Sequence, residues 1–314
     1  MESKYFHLLS SIFLILLLNP FPVVLTLSEH DSKIPSSPLD FLNNMIGSRK
    51  GNSTKGLSQL KKYLSKLGYV SYHNDKHEND DLFDDNLELA IKLYQKFFKL
   101  KVNGVLDDNT VNKMKQPRCG VPDFFAHDKK AEFENLVHSK YTFFPGKISI
   151  GASHYTFFSG APKWPPEKRN LTYSFPPGER TDVNASTLDA TDMWASVSDF
   201  RFSYIEDYNQ ADIKISFQRG AHGDEAPFDG RGGVLAHAFS PPDGTLHYDA
   251  DEDWVYDTVK DEFDVLTVGL HELGHVLGLG HSSDDGAIMW PYIGSGERKG
   301  LGKDDKNGIR ALYS

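Results

Sequence analysis

The 314-residue sequence predicts an α+β protein in which a small all-α domain precedes a mixed, twisted sheet with three helices. Three observations carry this. Leu57, Leu60, Leu64 and Leu67, then Leu89, Leu93 and Phe97 with Ala90, Tyr94 and Phe98 beside them, recur at helical spacing. Beyond residue 170, short strand-like runs come first and long helical runs later, the order of an α+β domain. Between these regions, Asp123 to Pro166 mixes Lys, Gly, Pro and aromatic residues without a period and reads as an exposed connector open to proteolysis.

At the N-terminal end, Lys4 precedes an apolar run from Leu8 to Leu18 broken only by Ser10 and Ser11, and Asn19, Pro20 and Pro22 stop it from lengthening. The run is short for a membrane span, and Thr26 and Ser28 offer a small-residue cleavage site, so residues 1–28 read as a signal peptide rather than an anchor. Arg310 to Tyr313 carry no apolar tail, so no C-terminal lipid anchor is expected. Export agrees with sequons at Asn52, Asn170 and Asn184, although sequons arise often by chance. A polar stretch from Glu29 to Ser53 leads into the helical patterns, and Asp107 or Asp108 caps a third short helix through Met114.

In the second domain, Leu171–Phe175, Phe202–Ile205, Ile213–Phe217, Val234–Phe239 and Thr245–Tyr248 read as strands. Val183–Val197 reads as a helix with Leu188, Met193, Trp194 and Val197 on its apolar side; Phe263–Leu279 and Lys303–Tyr313 are the other two.

The net charge is −10, from 34 Lys+Arg against 44 Asp+Glu. Such a surface repels phosphate backbones and argues against nucleic acid, whereas acidic clusters suit hard cations such as calcium. Cys119 is the sole cysteine, so no internal disulfide is possible and bound metals are the expected brace.

The segment His271-Glu272-Leu273-Gly274-His275-Val276-Leu277-Gly278-Leu279-Gly280-His281 carries the chemistry. Residues four apart on a helix share a face, so His271 and His275 can bind one ion. On a continuous helix His281 would lie about 15 Å beyond His271 along the axis. Gly278 and Gly280 allow the chain to turn and bring it back. Three neutral imidazoles leave zinc an open position for a water, and Glu272 lies beside it as the general base.

Here the sequence resembles the metzincin zinc peptidases, with Ala287-Ile288-Met289-Trp290-Pro291 similar to their Met-turn and Met289 placed beneath the metal. Ser282-Ser283-Asp284 and Pro117-Arg118-Cys119-Gly120-Val121-Pro122-Asp123 narrow the resemblance to the matrix metalloproteinases, or matrixins. The second motif resembles their cysteine switch: Cys119 takes the fourth position on zinc in the precursor, Gly120 permits close backbone approach, and Arg118 pairs with Asp123. The helical domain then corresponds to a propeptide, although its Gly-Val-Leu-Asp pattern also resembles peptidoglycan-binding modules.

The resemblance further implies a structural zinc on His222, Asp224, His237 and His247, and a calcium loop using Asp229, Gly230, Gly232, Val234, Asp249 and Glu252. Departures are present. Ser240–Leu246 is shorter than the family loop, which weakens a second calcium site involving Asp212, and Ile293 stands where many members have tyrosine. No propeller domain is expected to follow, which makes the chain similar to the minimal plant matrixins.

The expected organisation is a signal peptide (1–28), a helical propeptide with the switch (29–123), a connector containing the activation cleavage (124–166) and a metzincin catalytic domain (167–314). The expected function is a secreted, extracellular, monomeric zinc endopeptidase acting on extended polypeptides laid along Val234–Phe239, with one side chain in a pocket beside His271 and an activating protease as a further partner. The competing expectation is a catalytically silent or wall-binding extracellular module that keeps a zinc fold.

Overall fold

The computed structural model describes residues 37–72, 76–125 and 153–314. The signal-peptide reading therefore falls outside the described residues.

The helical domain is built from three amphipathic helices: α1 (Leu57–Lys66), α2 (Asp85–Phe97) and α3 (Asp108–Met114). Asp84 caps α2 by accepting from Leu87 N at 2.8 Å, and Asp107 caps α3 by accepting from Thr110 N at 2.9 Å. Their shared core holds Leu57, Leu60, Leu64, Ala90, Ile91 and Tyr94. Leu89 is only half-buried; Leu87 and Ile91 occupy the inward stripe instead. The polar stretch closes with a 3-10 turn at Asp40–Met45, which adds buried Leu42 and Met45 to the same core.

Five strands of the second domain, joined at one edge by a strand from the preceding segment, form a six-stranded sheet in the order β1-β5-β6-β4-β2-β3. The strands are β1 (Arg118–Cys119), β2 (Asn170–Ser174), β3 (Arg201–Tyr204), β4 (Ile213–Gln218), β5 (Val234–Ala238) and β6 (Thr245–Asp249). All neighbours are parallel except β5 with β6. Helix α4 (Asp182–Ala195) packs along α5 (Val265–Val276), which lies against β5 and β6; α6 (Lys303–Tyr313) closes the chain. Trp194 fastens α4 to α5 by donating Nε1–H to Leu270 O at 2.9 Å. Leu188, expected on the apolar side of α4, is 52% exposed. The inward face runs through Val183, Ser186, Thr187, Ala190, Thr191 and Trp194, so two threonines rather than Leu188 are buried there.

Helix α5 is shorter at both ends than its apolar run. Phe263–Asp264 forms β8, paired with β7 (Trp254–Val255), because Asp264 turns its carboxylate onto Thr267 N (3.2 Å) and Oγ1 (2.7 Å) as the cap. At the other end Gly278 takes φ +97°, and a side chain there would meet Pro162 O at 2.5 Å. The chain therefore leaves the helix at this point and doubles back.

Residues 153–166, expected within the exposed connector, are tied to the catalytic domain. Gly280 N donates to Thr156 O at 2.8 Å, Phe157 bridges Leu279, and buried Trp164 donates Nε1–H to Val276 O at 3.0 Å. The rest of the connector, 126–152, lies outside the described residues.

Candidate metal centre

His271 and His275 project from one face of α5, and the turn at Gly278 returns His281 to them. Together with Cys119 their ligand atoms lie within 4.8 Å of one another, and all four side chains are buried. His275 Nε2 is 3.0 Å from His271 Nε2 and 3.4 Å from Cys119 Sγ. The other ring nitrogens are committed. His271 Nδ1 is 2.7 Å from Ile288 O, His275 Nδ1 is 2.7 Å from Leu279 O, and His281 Nδ1 is 2.7 Å from Asp123 Oδ1. Carbonyls and carboxylates only accept, so each Nδ1 carries the proton and each Nε2 lone pair faces the common centre.

This donor set fits zinc. Tetrahedral ligands about 2.05 Å from an ion stand about 3.3 Å apart, close to the 3.0 and 3.4 Å from His275 to His271 and Cys119. His281 Nε2 and both Glu272 carboxylate oxygens are buried without a hydrogen-bond partner, which is costly unless a cation or its water satisfies them. Burial lowers the pKa of His271 and His275 well below the usual range, so both are neutral ligands. Burial raises the Cys119 thiol and pushes the Glu272 carboxyl up to about 8. A dication in their midst reverses that preference and favours the thiolate.

Cys119 reaches the centre on β1. Arg118 N donates to Gly233 O at 2.8 Å and Gly120 N to Ala236 O at 2.8 Å, so the segment adds a parallel strand to the β5 edge. On its other side Cys119 N donates to Pro291 O at 2.9 Å. A side chain at Gly120 would meet Val234 Cγ1 at 2.7 Å, which explains the glycine after the thiol. Arg118 and Asp123, both buried, form a forked pair: NH1 to Oδ2 at 3.0 Å and NH2 to Oδ1 at 2.7 Å. Burial alone would raise Asp123, but Arg118 and His281 outweigh it and hold it at about 2. Met289 is 1% exposed beneath α5, its turn held by Asp305, which accepts from Ile288 N (2.8 Å) and Met289 N (3.1 Å).

A second group joins His222, Asp224, His237 and His247, with ligand atoms again within 4.8 Å. Asp224 Oδ2 receives all three rings, from His222 Nε2 at 2.8 Å, His237 Nε2 at 2.7 Å and His247 Nδ1 at 2.9 Å. Burial lowers His237 to about 4 and lowers His247 as well. Three rings crowded on one carboxylate suit a closed, four-coordinate cation.

Among the described residues these are the two groups of such side chains within that distance; the carboxylates of Asp229, Asp249 and Glu252 do not form a third. They are nonetheless neighbours. Burial pushes Asp229 and Asp249 up to about 6 and Glu252 up to about 7, with repulsion from Asp249 adding to it at Asp229 and repulsion from both aspartates adding to it at Glu252. Asp249 Oδ2 is buried without a partner, Asp229 Oδ1 accepts from Val234 N at 3.0 Å, and Glu252 Oε1 accepts from Gly232 N at 2.5 Å. Gly230, the remaining expected carbonyl donor, donates its N–H toward Asp249. Asp212 is different: Thr172 N and Oγ1 occupy Oδ2 at 2.8 Å each, and Lys168 Nζ sits 2.7 Å from Oδ1. A lysine already meets its charge, a pairing hidden in sequence by the intervening strand. Asn52, Asn170 and Asn184 are exposed. No helix among the described residues is long and apolar enough to cross a membrane.

Two features escaped sequence reasoning. Asp123 touches a histidine of the metal group, 158 positions away. Trp290 and Tyr292, which follow Met289 in its turn, are buried in the core of the helical domain, with Trp290 stacked on Phe97 and Tyr292 edge-on to Phe98. The aromatic cluster Trp290-Pro291-Tyr292 was the available signal.

Residues 163–314 match the family described as matrixin, and residues 53–114 match a family described as a peptidoglycan binding domain. The chain is 42% identical to Metalloendoproteinase 5-MMP of Arabidopsis thaliana over 304 residues, covering 90% of this chain and 80% of that one. It is 43% identical to Metalloendoproteinase 1 of Glycine max over 272 residues, covering 84% and 83%. It is 39% identical to Interstitial collagenase of Sus scrofa over 267 residues, covering 81% of this chain and 48% of that protein.

Proposed function

The chain belongs to the matrixin family of zinc metalloendopeptidases, and from that premise we propose that it is a secreted, monomeric extracellular protease made as a latent precursor. The proposed organisation is a signal peptide (1–28), a propeptide (29–123), a connector cleaved on activation (124–166) and a catalytic domain (167–314).

Zinc bound by His271, His275 and His281 would polarise the scissile carbonyl and lower the pKa of a water from roughly 15.7 to about 7. Glu272, unpartnered at the bottom of the site, accepts the proton of the attacking water and returns one to the leaving amine. Neutral histidines, fixed by their Nδ1 acceptors, hold the ligand geometry. Substrate lies extended on the edge of β5, where main-chain hydrogen bonds give affinity. The switch segment now takes that edge, and Cys119 fills the position a water would need. His222, Asp224, His237 and His247 hold a structural zinc. Asp229, Asp249 and Glu252, with carbonyls of Gly230, Gly232 and Val234, hold calcium; Asp212 is left out of that set.

The observation that carries this reading is the convergence of Cys119 Sγ with three imidazole nitrogens whose tautomers are already set. The test is hydrolysis of a quenched peptide by the purified precursor before and after a thiol-binding mercurial. Latency relieved by the mercurial and abolished by a zinc chelator supports it; a precursor equally active without the mercurial contradicts it.

The match of residues 53–114 favours a second reading, in which the helical domain also binds wall polysaccharide. Retention of the precursor on insoluble polysaccharide, lost on competition with soluble glycan, would support it.

A further inference from the structure

The three histidines are not supported alike. His271 and His275 donate Nδ1–H to Ile288 O and Leu279 O, which belong to the catalytic domain itself. His281 donates to the carboxylate of Asp123, which belongs to the propeptide. Both partners are fully buried, with side-chain exposures of 0%. Asp123 is in turn built into the propeptide: Tyr69 OH donates to Oδ2 at 2.7 Å, Asp123 N donates to Leu67 O at 3.0 Å, and Arg118 grips both oxygens. One carboxylate thus has four donors, three from the propeptide and one from the metal group.

From this arrangement we infer that Asp123 is a positioning residue for the catalytic metal, so that the precursor binds zinc more tightly than the mature enzyme does, independently of the Cys119 thiolate. A carboxylate behind a ligating imidazole fixes its ring and raises its basicity, and losing such a partner costs about 10- to 100-fold in metal affinity. Removal of the propeptide takes this carboxylate away from His281 while leaving the supports of His271 and His275 in place. Release of the propeptide then does two separate things: it withdraws a thiol and it loosens one histidine.

The inference rests on the zinc site proposed above, and the experiment separates the two. The full-length Glu272→Ala precursor, which cannot process itself, is first assayed for zinc. Two zinc ions per chain are expected; absence of the more labile one would overturn the zinc reading itself. Zinc release to excess chelator is then followed colorimetrically in Asp123→Asn, in Cys119→Ser and in the double variant. Asp123→Asn should speed release of one zinc by about 10- to 100-fold, leave the other unchanged, and keep that effect when Cys119 is serine. Wild-type release from Asp123→Asn, or an effect that vanishes without the thiol, would overturn the inference and reduce Asp123 to a clasp for the switch loop. A second readout avoids any variant at Asp123. With cobalt exchanged only into the site of His271, His275 and His281 in the Glu272→Ala precursor, its three imidazole N–H protons should be protected from exchange, and proteolytic removal of the propeptide should release one. Retention of all three after removal would likewise overturn it.

Discussion

Replacing Arg118 by alanine is the perturbation that should open the latch without touching a metal ligand. Arg118 is 1% exposed and donates to both oxygens of Asp123, to Cys119 O through Nε at 2.9 Å, and lies over the Tyr292 ring at 5.3 Å. Removing one partner of a buried ion pair costs about 3–5 kcal/mol, because the other charge stays buried. Asp123 would keep only Tyr69 and His281 as donors. Every 1.4 kcal/mol is about tenfold, so the open fraction of the switch should rise by about 10²- to 4 × 10³-fold. The assay is the rate at which a chromogenic disulfide labels Cys119 in zinc-replete Glu272→Ala precursor, with and without Arg118→Ala, at a temperature where both are folded by circular dichroism. Faster labelling by about two to three and a half powers of ten is expected. Equal rates would refute the reasoning and mean that the β5 pairing alone holds the loop.

Other perturbations address separate parts of the account. Glu272→Ala should retain both zinc ions and the melting temperature yet lose about 10²- to 10⁴-fold in peptide hydrolysis, checked by metal analysis beside kinetics. Cys119→Ser should convert the precursor to one that processes itself. Because residues 153–166 are tied to the catalytic domain, N-terminal sequencing should place the cut within 126–152. Removing calcium at fixed zinc should lower the melting temperature of the activated domain, by the loss of about 2.7 kcal/mol if calcium had been at a hundredfold excess over its dissociation constant. Asp229→Ala should blunt that response, and a melt indifferent to calcium would leave these carboxylates as a solvated turn.

What the sequence disclosed and what it withheld follow one physical division. Local spacing was readable: the histidines four apart, the glycine whose φ of +97° ends α5, the capping aspartates and the alternating strands. Pairings across the fold were not. The donors that meet Asp212 come from β2 and the loop before it, the carboxylate behind His281 comes from the propeptide, and Trp290 and Tyr292 complete a core begun by Leu57 and Tyr94. None of these leaves a periodic trace, because each depends on which surfaces meet. Leu188 erred for the related reason that an apolar residue on an amphipathic helix does not by itself say which side faces inward.

Zinc K-edge X-ray absorption on the Glu272→Ala precursor tests the central claim most directly. The account predicts two zinc ions per chain and one sulfur scatterer between them at about 2.3 Å, with the remaining ligands at about 2.0–2.2 Å, and loss of the sulfur when the propeptide is removed. A spectrum with no sulfur shell in the intact precursor would contradict it.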